Sequence, residues 1–323
     1  MQLSWSDPRL SVASDSRRTA RYRLAQSWYR EQVLNARYGD YCAAGSGGRR
    51  PLGSLLHLRD VLERPGLNFL TEDAAQYARV RSDIVTAAGG AIDKARLARN
   101  MLSSLPMTFS IFGELRARPD RGLDVVQAFL DPQAVSVEVM ECAWRPAVDV
   151  LGDRSCFDAA VITERQDGSH HLIGVEVKYT ETFNRTIYNS DGYRQAHEKS
   201  GWFRPGTTRP LLGPATNQLW RTSLLAAACV QHRVMGVTSA SIAVLCLAED
   251  PDAARGLAGL SAALLEPQEH CRIVSLESLV AGMRDGLGPS GPWAESFATR
   301  YLNPPEMYAE LPDLSTEDAE PLL

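Results

Sequence analysis

Residues 134–249 carry four strand-like runs and one strong helix, and their order limits what this chain can fold into. AVSVEVMECAW (134–144) alternates apolar and polar residues. CFDAAVITER (156–165) and HLIGVEVKYT (171–180) read as two further strands. NQLWRTSLLAAACVQHR (217–233) reads as a helix capped by Thr216 or Asn217, and SASIAVLCLAE (239–249) is apolar throughout, as a buried strand is. A helix over NMLSSLPMTFSIFGELRAR, with Pro106 near its start, precedes them. The order is therefore α-β-β-β-α-β, which predicts an α/β protein built on a central sheet.

The flanking segments are less regular. Residues 15–38 are rich in Arg, with Leu24, Trp28 and Val33 spaced like one helix face. AAGSGGRRPLG (43–53) reads as a linker, since its G-S-G-G lacks the G-K-[ST] ending of a phosphate loop. Residues 54–64 and 71–99 read as helical. Thr71, Glu72 and Asp73 start the second of these, and Gly89-Gly90 breaks it. Residues 182–216 hold too much Gly, Pro, Asn and Arg for one element and read as a long loop. The expected organisation is an N-terminal helical region over 1–100, a core over 101–285 and a C-terminal extension over 286–323.

At 323 residues and 44% hydrophobic content the chain can bury a substantial core. No apolar run reaches a membrane span, and the N-terminus has no apolar signal segment, so a cytoplasmic protein is expected. The six cysteines form no C-x-x-C pair; Cys142, Cys156, Cys229 and Cys246 lie in apolar runs and read as core residues. The six histidines show no zinc-binding pattern. The net charge of −5 comes from the end of the chain. Glu306, Glu310, Asp313, Glu317, Asp318 and Glu320 lie in 306–323, and the other 33 acidic residues face 34 Lys and Arg.

Within G-V-E-V-K-Y-T-E (174–181), Glu176 and Lys178 are alternate residues of a strand, so they share a face roughly 7 Å apart. One reading is a solvated ion pair on an edge strand, and the other is a catalytic site. The turn RQDGSH decides whether Asp158 joins them. A two-residue turn would put Asp158 on the opposite face from Glu176. A three-residue loop with Gly168 in the left-handed conformation pairs 165 with 169 and sets Asp158 across from Glu176. Two facing carboxylates repel unless a divalent cation lies between them, and oxygen donors suit Mg²⁺ or Mn²⁺. With Lys178 on the same face, the set provides what phosphodiester hydrolysis needs: a metal, an activated water and positive charge near the developing anion.

This combination resembles the PD-(D/E)XK nuclease superfamily, whose α-β-β-β-α-β core places an Asp on the second strand and E-x-K on the third. Asp158 matches the Asp and Glu176-Val177-Lys178 matches E-x-K, with 17 residues between the carboxylates; Phe157 stands where the family has Pro. LGDRSCFDAAV, IGVEVKYTE and NQLWRTSLLAAA are similar to bacterial restriction-endonuclease-like members. The resemblance implies a restriction-endonuclease-like core with a mixed sheet. It also implies Mg²⁺ or Mn²⁺ held by Asp158 and Glu176, and Lys178 near the water and scissile phosphate. Glu114, on the first core helix, is a further candidate metal ligand, and Glu141 is a weaker candidate. Gln218, at the start of the helix after the site, is a candidate for orienting water, substrate or ligand.

The segment 182–216 interleaves basic and aromatic residues, as phosphate contact and base stacking require. Arg185, Arg194, Lys199, Trp202, Arg204 and Arg209 are the candidate nucleic-acid contacts. The function expected is metal-dependent cleavage of DNA, more as an endonuclease than an exonuclease, in restriction or defence, with a homodimer among the arrangements the N-terminal region could support. The rival is a nuclease fold that has lost catalysis and only binds nucleic acid or protein.

Overall fold

A computed structural model describes residues 9–10, 12–42, 48–184, 186–285 and 291–303. Arg185 and the acidic residues of 306–323 lie outside them. The N-terminal part runs α1 (Arg17–Gln32), β1 (Tyr38–Cys42), β2 (Arg49–Leu56), α2 (Leu58–Glu63), α3 (Glu72–Ala87) and α4 (Lys94–Arg99). The centre continues with α5 (Ser104–Ala117), α6 (Pro119–Val125), β3 (Ala134–Trp144), β4 (Phe157–Arg165) and β5 (His170–Val177). Then come α7 (Asp191–Ser200), α8 (Asn217–Gln231), β6 (Val237–Cys246), α9 (Pro251–Ala263), α10 (Pro267–His270), β7 (Cys271–Ser275), α11 (Leu276–Asp285) and α12 (Gly291–Phe297).

The α-β-β-β-α-β order is present, with α7 added before α8. The sheet has the order β3-β4-β5-β6-β7; β3/β4 and β4/β5 are antiparallel, and β5/β6 and β6/β7 are parallel, so the sheet is mixed. Side-chain alternation sends the two faces into two cores. Ile173, Val175 and Val177 of β5, with Ala243 and Leu245 of β6, pack toward Phe109, Phe112 and Trp293. Leu172, Ile242 and Val244 pack toward Trp220 and Leu224 of α8. A sheet buried on both faces explains why 239–249 is apolar throughout.

The β4–β5 hairpin has the register on which the site depends. Arg165 N–H donates to the Ser169 carbonyl at 2.9 Å, Gly168 N–H donates to the Arg165 carbonyl at 2.9 Å, and Gly168 has φ +74°. Gln166–Gly168 is thus a three-residue loop closed by a left-handed glycine. Ala159 pairs with Val175 and Ala160 with Gly174, a register that carries Asp158 to the level of Glu176.

Gly174 has a different reason to be glycine: a Cβ there would run into the Phe157 ring. That ring cannot swing aside, because it stacks on Trp144 with centroids 5.9 Å apart. Gly174→Val is expected to cost about 1–3 kcal/mol by overpacking. Thermal unfolding checks this, and an unchanged melting temperature would refute the contact.

Three expectations need correction. Residues 49–53 are not linker but part of β2. Gly53 is there because α1 crosses it so closely that a Cβ would meet Ser27. Residues 54–56 also belong to β2, so the helix expected over 54–64 shortens to α2 and the N-terminal region is not wholly helical. The loop 182–216 contains α7, with the Ser190 hydroxyl accepting from Tyr193 N–H, Gly201 closing it at φ +71°, and Tyr193 and His197 buried four residues apart. The break at Gly89-Gly90 and the Thr71 cap are as expected. Thr216 takes the cap position of α8, but its hydroxyl donates to the Pro210 and Gly213 carbonyls instead of capping.

Helix α1 and the segment around Arg300 are stitched together beside the sheet. Gln26 of α1 donates to the Arg300 carbonyl and to Tyr179 Oη, and Arg300 donates to Asn68 at 2.6 Å. Cys142, Cys229, Cys246 and Cys271 are buried, whereas Cys156 is exposed, against the expectation that it packs in the core. Among the described residues no helix is long and apolar enough to cross a membrane.

Candidate active site

The site forms where β4 begins and β5 ends. Regular pairing stops at Ala159/Val175, and the next backbone donor, Val177 N–H, is taken by Asp158 Oδ2 at 2.8 Å. The Asp158 side chain therefore replaces a ladder bond, which fixes its orientation. Glu176 lies on the α8 face of β5 and is 4% exposed, and Lys178, just past the strand, is 7% exposed. Lys178 Nζ lies 2.9 Å from Glu176 Oε1, as expected of alternate residues, but the burial rules out a solvated surface pair. Lys178 N–H donates to the Leu245 carbonyl at 2.8 Å, which anchors its backbone to β6.

Gln218, in the first turn of α8, ties the cluster together. Its amide nitrogen donates to Glu176 Oε1, and its carbonyl oxygen accepts from Lys178 Nζ at 3.3 Å and from Asn184 N–H at 2.9 Å. The Lys178 ammonium also lies 4.9 Å from the centre of the Phe183 ring.

The electrostatics follow from this enclosure. Desolvation, then the Glu176 carboxylate, push the Asp158 pKa up to about 7; Lys178 and the Val177 N–H pull the other way. Burial alone would lower the Lys178 pKa, but Glu176 and Asp158 more than offset it, and Lys178 is held as an ammonium above its ordinary value. Two carboxylates at one strand end, Asp158 holding its proton up to about pH 7, beside a fixed cation, form a donor set suited to a divalent cation.

Sequence reasoning missed Glu181. It accepts from Ser104 N–H at 2.7 Å and from Arg96 at 2.6 Å, so it caps α5, and its charge raises the Asp158 pKa. Its place in the quoted stretch G-V-E-V-K-Y-T-E was visible, but its partner Ser104 is 77 residues away in sequence. Arg221, one turn after Gln218, was also missed. It donates to Ser155 at 2.8 Å, and its guanidinium lies 4.0 Å from the Tyr188 ring centre.

Other candidates are elsewhere. Glu114 is buried with Arg118 at 2.9 Å and Arg121 at 4.0 Å, about 15 Å along α5 from Ser104, and is not brought to Asp158 and Glu176. Burial raises its pKa, with the two arginines opposing. Glu141 pairs with Arg81 at 2.8 Å. Trp202 is 7% exposed and stacks on His270 with centroids 4.0 Å apart, so it is core and cannot stack on a base. Arg204 is exposed, but its Nε donates to the Leu264 carbonyl at 3.0 Å, which ties it to the end of α9. Arg194 is tied to Asn189 and Asp191; Lys199 and Arg209 are exposed.

A family model described as the PD-(D/E)XK nuclease superfamily matches residues 13–303. No curated protein and no solved structure matches the chain.

Proposed function

From the premise that this chain belongs to the PD-(D/E)XK nuclease superfamily, we propose that it is a metal-dependent endonuclease that hydrolyses phosphodiester bonds in DNA. The observation that carries this reading is the burial, at one end of the sheet, of Asp158, held by Val177 N–H, beside the hydrogen-bonded trio of Glu176, Lys178 and Gln218. An inactive binding module gains nothing from two carboxylates and an ammonium held together out of water, which is costly for charged groups.

Each residue has a definable part. Asp158 and Glu176 would hold the cation, their oxygens fixed by Val177 N–H and the Gln218 amide. Bound there, Mg²⁺ or Mn²⁺ would supply charge neutralisation and a water of lowered pKa. Lys178 presents an ammonium to a phosphoryl oxygen or to the attacking water. Gln218 holds Lys178 and Glu176 at a fixed separation, which limits the reorganisation needed during the reaction. Exposed Lys199 and Arg209, together with Arg194, would supply sequence-independent phosphate contacts. A cytoplasmic role in restriction or defence, and action as a homodimer, are consistent extensions of this reading.

Supercoiled circular and linear DNA, incubated with the purified chain in Mg²⁺ and in EDTA, tests the proposal. Cleavage of the circle in Mg²⁺ alone is expected. Cutting of linear DNA only, progressing from its ends, would overturn the endonuclease assignment. Intact DNA under all divalent-ion conditions, from a folded chain, would overturn the catalytic one.

A further inference from the structure

A cavity of about 800 Å³ opens outside the edge strand β3, between the end of α3, the segment after β3 and the turn that leads into β6. Its wall is partly apolar: Ile84, Val85, Val148 and Met235 line it, and three of these, Ile84, Val148 and Met235, are more than half exposed. Its charged lining is of one sign. Arg81, Arg145, Arg154 and Arg233 contribute, with His232, and no carboxylate is among the described lining residues. Arg81 is already paired with Glu141, which leaves Arg145, Arg154 and Arg233 as the arginines for an anion.

Backbone strain concentrates at the same place. Four described non-glycine residues have positive φ, and three of them, Ala143, Arg233 and Met235, line this cavity. Such residues persist only where the surroundings over-determine them, and they cluster at functional sites.

The cavity lies on the approach to the active site: Cys156, part of its lining, immediately precedes β4 and stands two residues before Asp158.

We propose that this cavity takes one unpaired nucleotide of the substrate strand, next to the scissile phosphate, its base against the apolar wall and its phosphate among Arg145, Arg154 and Arg233. An extruded base packs against aromatic or apolar side chains, and positive charge holds the phosphates of a single strand. The volume lies within the range of about 300–1,000 Å³ usual for small-ligand sites. The inference rests on the nuclease reading and deepens it: the enzyme would prefer DNA with a splayed or single-stranded position at the cut.

The test separates this inference from catalysis by measuring binding in EDTA. Fluorescence anisotropy compares a labelled 12-mer single strand with its duplex, for the wild-type chain, the double variant R145A/R154A, and Val148→Asp. Val148 and Arg154 are exposed and Arg145 is half-buried, and circular dichroism checks the folding of both variants. Both are expected to weaken single-strand binding about tenfold while duplex affinity moves less than threefold. Equal losses on the two probes would reduce the arginines to a general basic surface and overturn the inference. So would unchanged affinities, or failure of the wild-type chain to bind the single strand. A change in sedimentation with unchanged oligonucleotide binding would assign the cavity to a second copy of the chain. If the binding result holds but no DNA is cleaved in Mg²⁺, the cavity stands and the nuclease reading fails.

Discussion

Asp158→Asn is expected to abolish Mg²⁺-dependent cleavage and, in the same protein, to raise the stability of the metal-free fold at pH 8. Loss of a metal-binding carboxylate removes several kcal/mol of transition-state charge stabilisation, so the rate should fall at least about a thousandfold. The stability effect runs the other way because of the shifted pKa. Asp158 titrates at about 7 in the folded chain against 3.8 as its ordinary value. Between those values the folded state binds a proton more tightly than the unfolded state. Its contribution to stability is therefore present at low pH and is lost as pH rises toward 7 and beyond. The asparagine amide is neutral at every pH, and its oxygen can still accept from Val177 N–H.

Thermal unfolding from pH 5 to 8 in EDTA distinguishes the cases. The wild-type melting temperature should fall as pH rises, and the Asn variant should fall less and lie several degrees higher at pH 8. Mg²⁺ should stabilise the wild type, more at pH 8 than at pH 5 because a proton competes for the site, and should leave the variant unaffected. A variant less stable than wild type at pH 8 would mean that Asp158 serves the fold, and undiminished cleavage would remove it from the metal site.

The geometry at Asp158 was legible because it depends on parity. The alternation of β5, the dipeptide Asp167-Gly168 and the loop length are local features, and a three-residue loop leaves one register. Gln218 was legible as the first turn of an obvious helix. What was not legible depends on contacts distant in sequence. The strand 49–56 looks like a linker until α1 is packed on Gly53, and Trp202 looks like a stacking platform until His270 covers it. Glu114 shows the opposite failure. A buried carboxylate on the first core helix fits a metal ligand by type, but Arg118 and Arg121, four and seven residues on, already pair with it. A helix of this length spans about 20 Å, so the end of α5 on which a residue sits matters as much as the helix.

Lys178→Ala is expected to lose about 10²–10³-fold in single-turnover cleavage, the scale of removing one oxyanion donor, while keeping metal affinity. The ammonium has three donors and no acceptor, so it cannot be a metal ligand. Its removal frees Glu176 Oε1 from a 2.9 Å ion pair. Affinity for Mg²⁺, followed by calorimetric titration, should therefore stay within about threefold or tighten. Without metal the variant should be destabilised, since Glu176 and Asp158 lose the cation that offsets their burial; breaking a buried pair costs about 3–5 kcal/mol. Mg²⁺ should recover that stability but not the rate. Lys178→Arg should not restore cleavage, because the planar guanidinium is larger than the ammonium now held against Gln218 and Phe183 and cannot give up a proton. A purely structural ion pair leads to the reverse pattern, a destabilised chain that cuts at the wild-type rate once Mg²⁺ has refolded it. That result would leave Lys178 a buried counter-charge, and the match at E-x-K would then concern the fold and not the reaction.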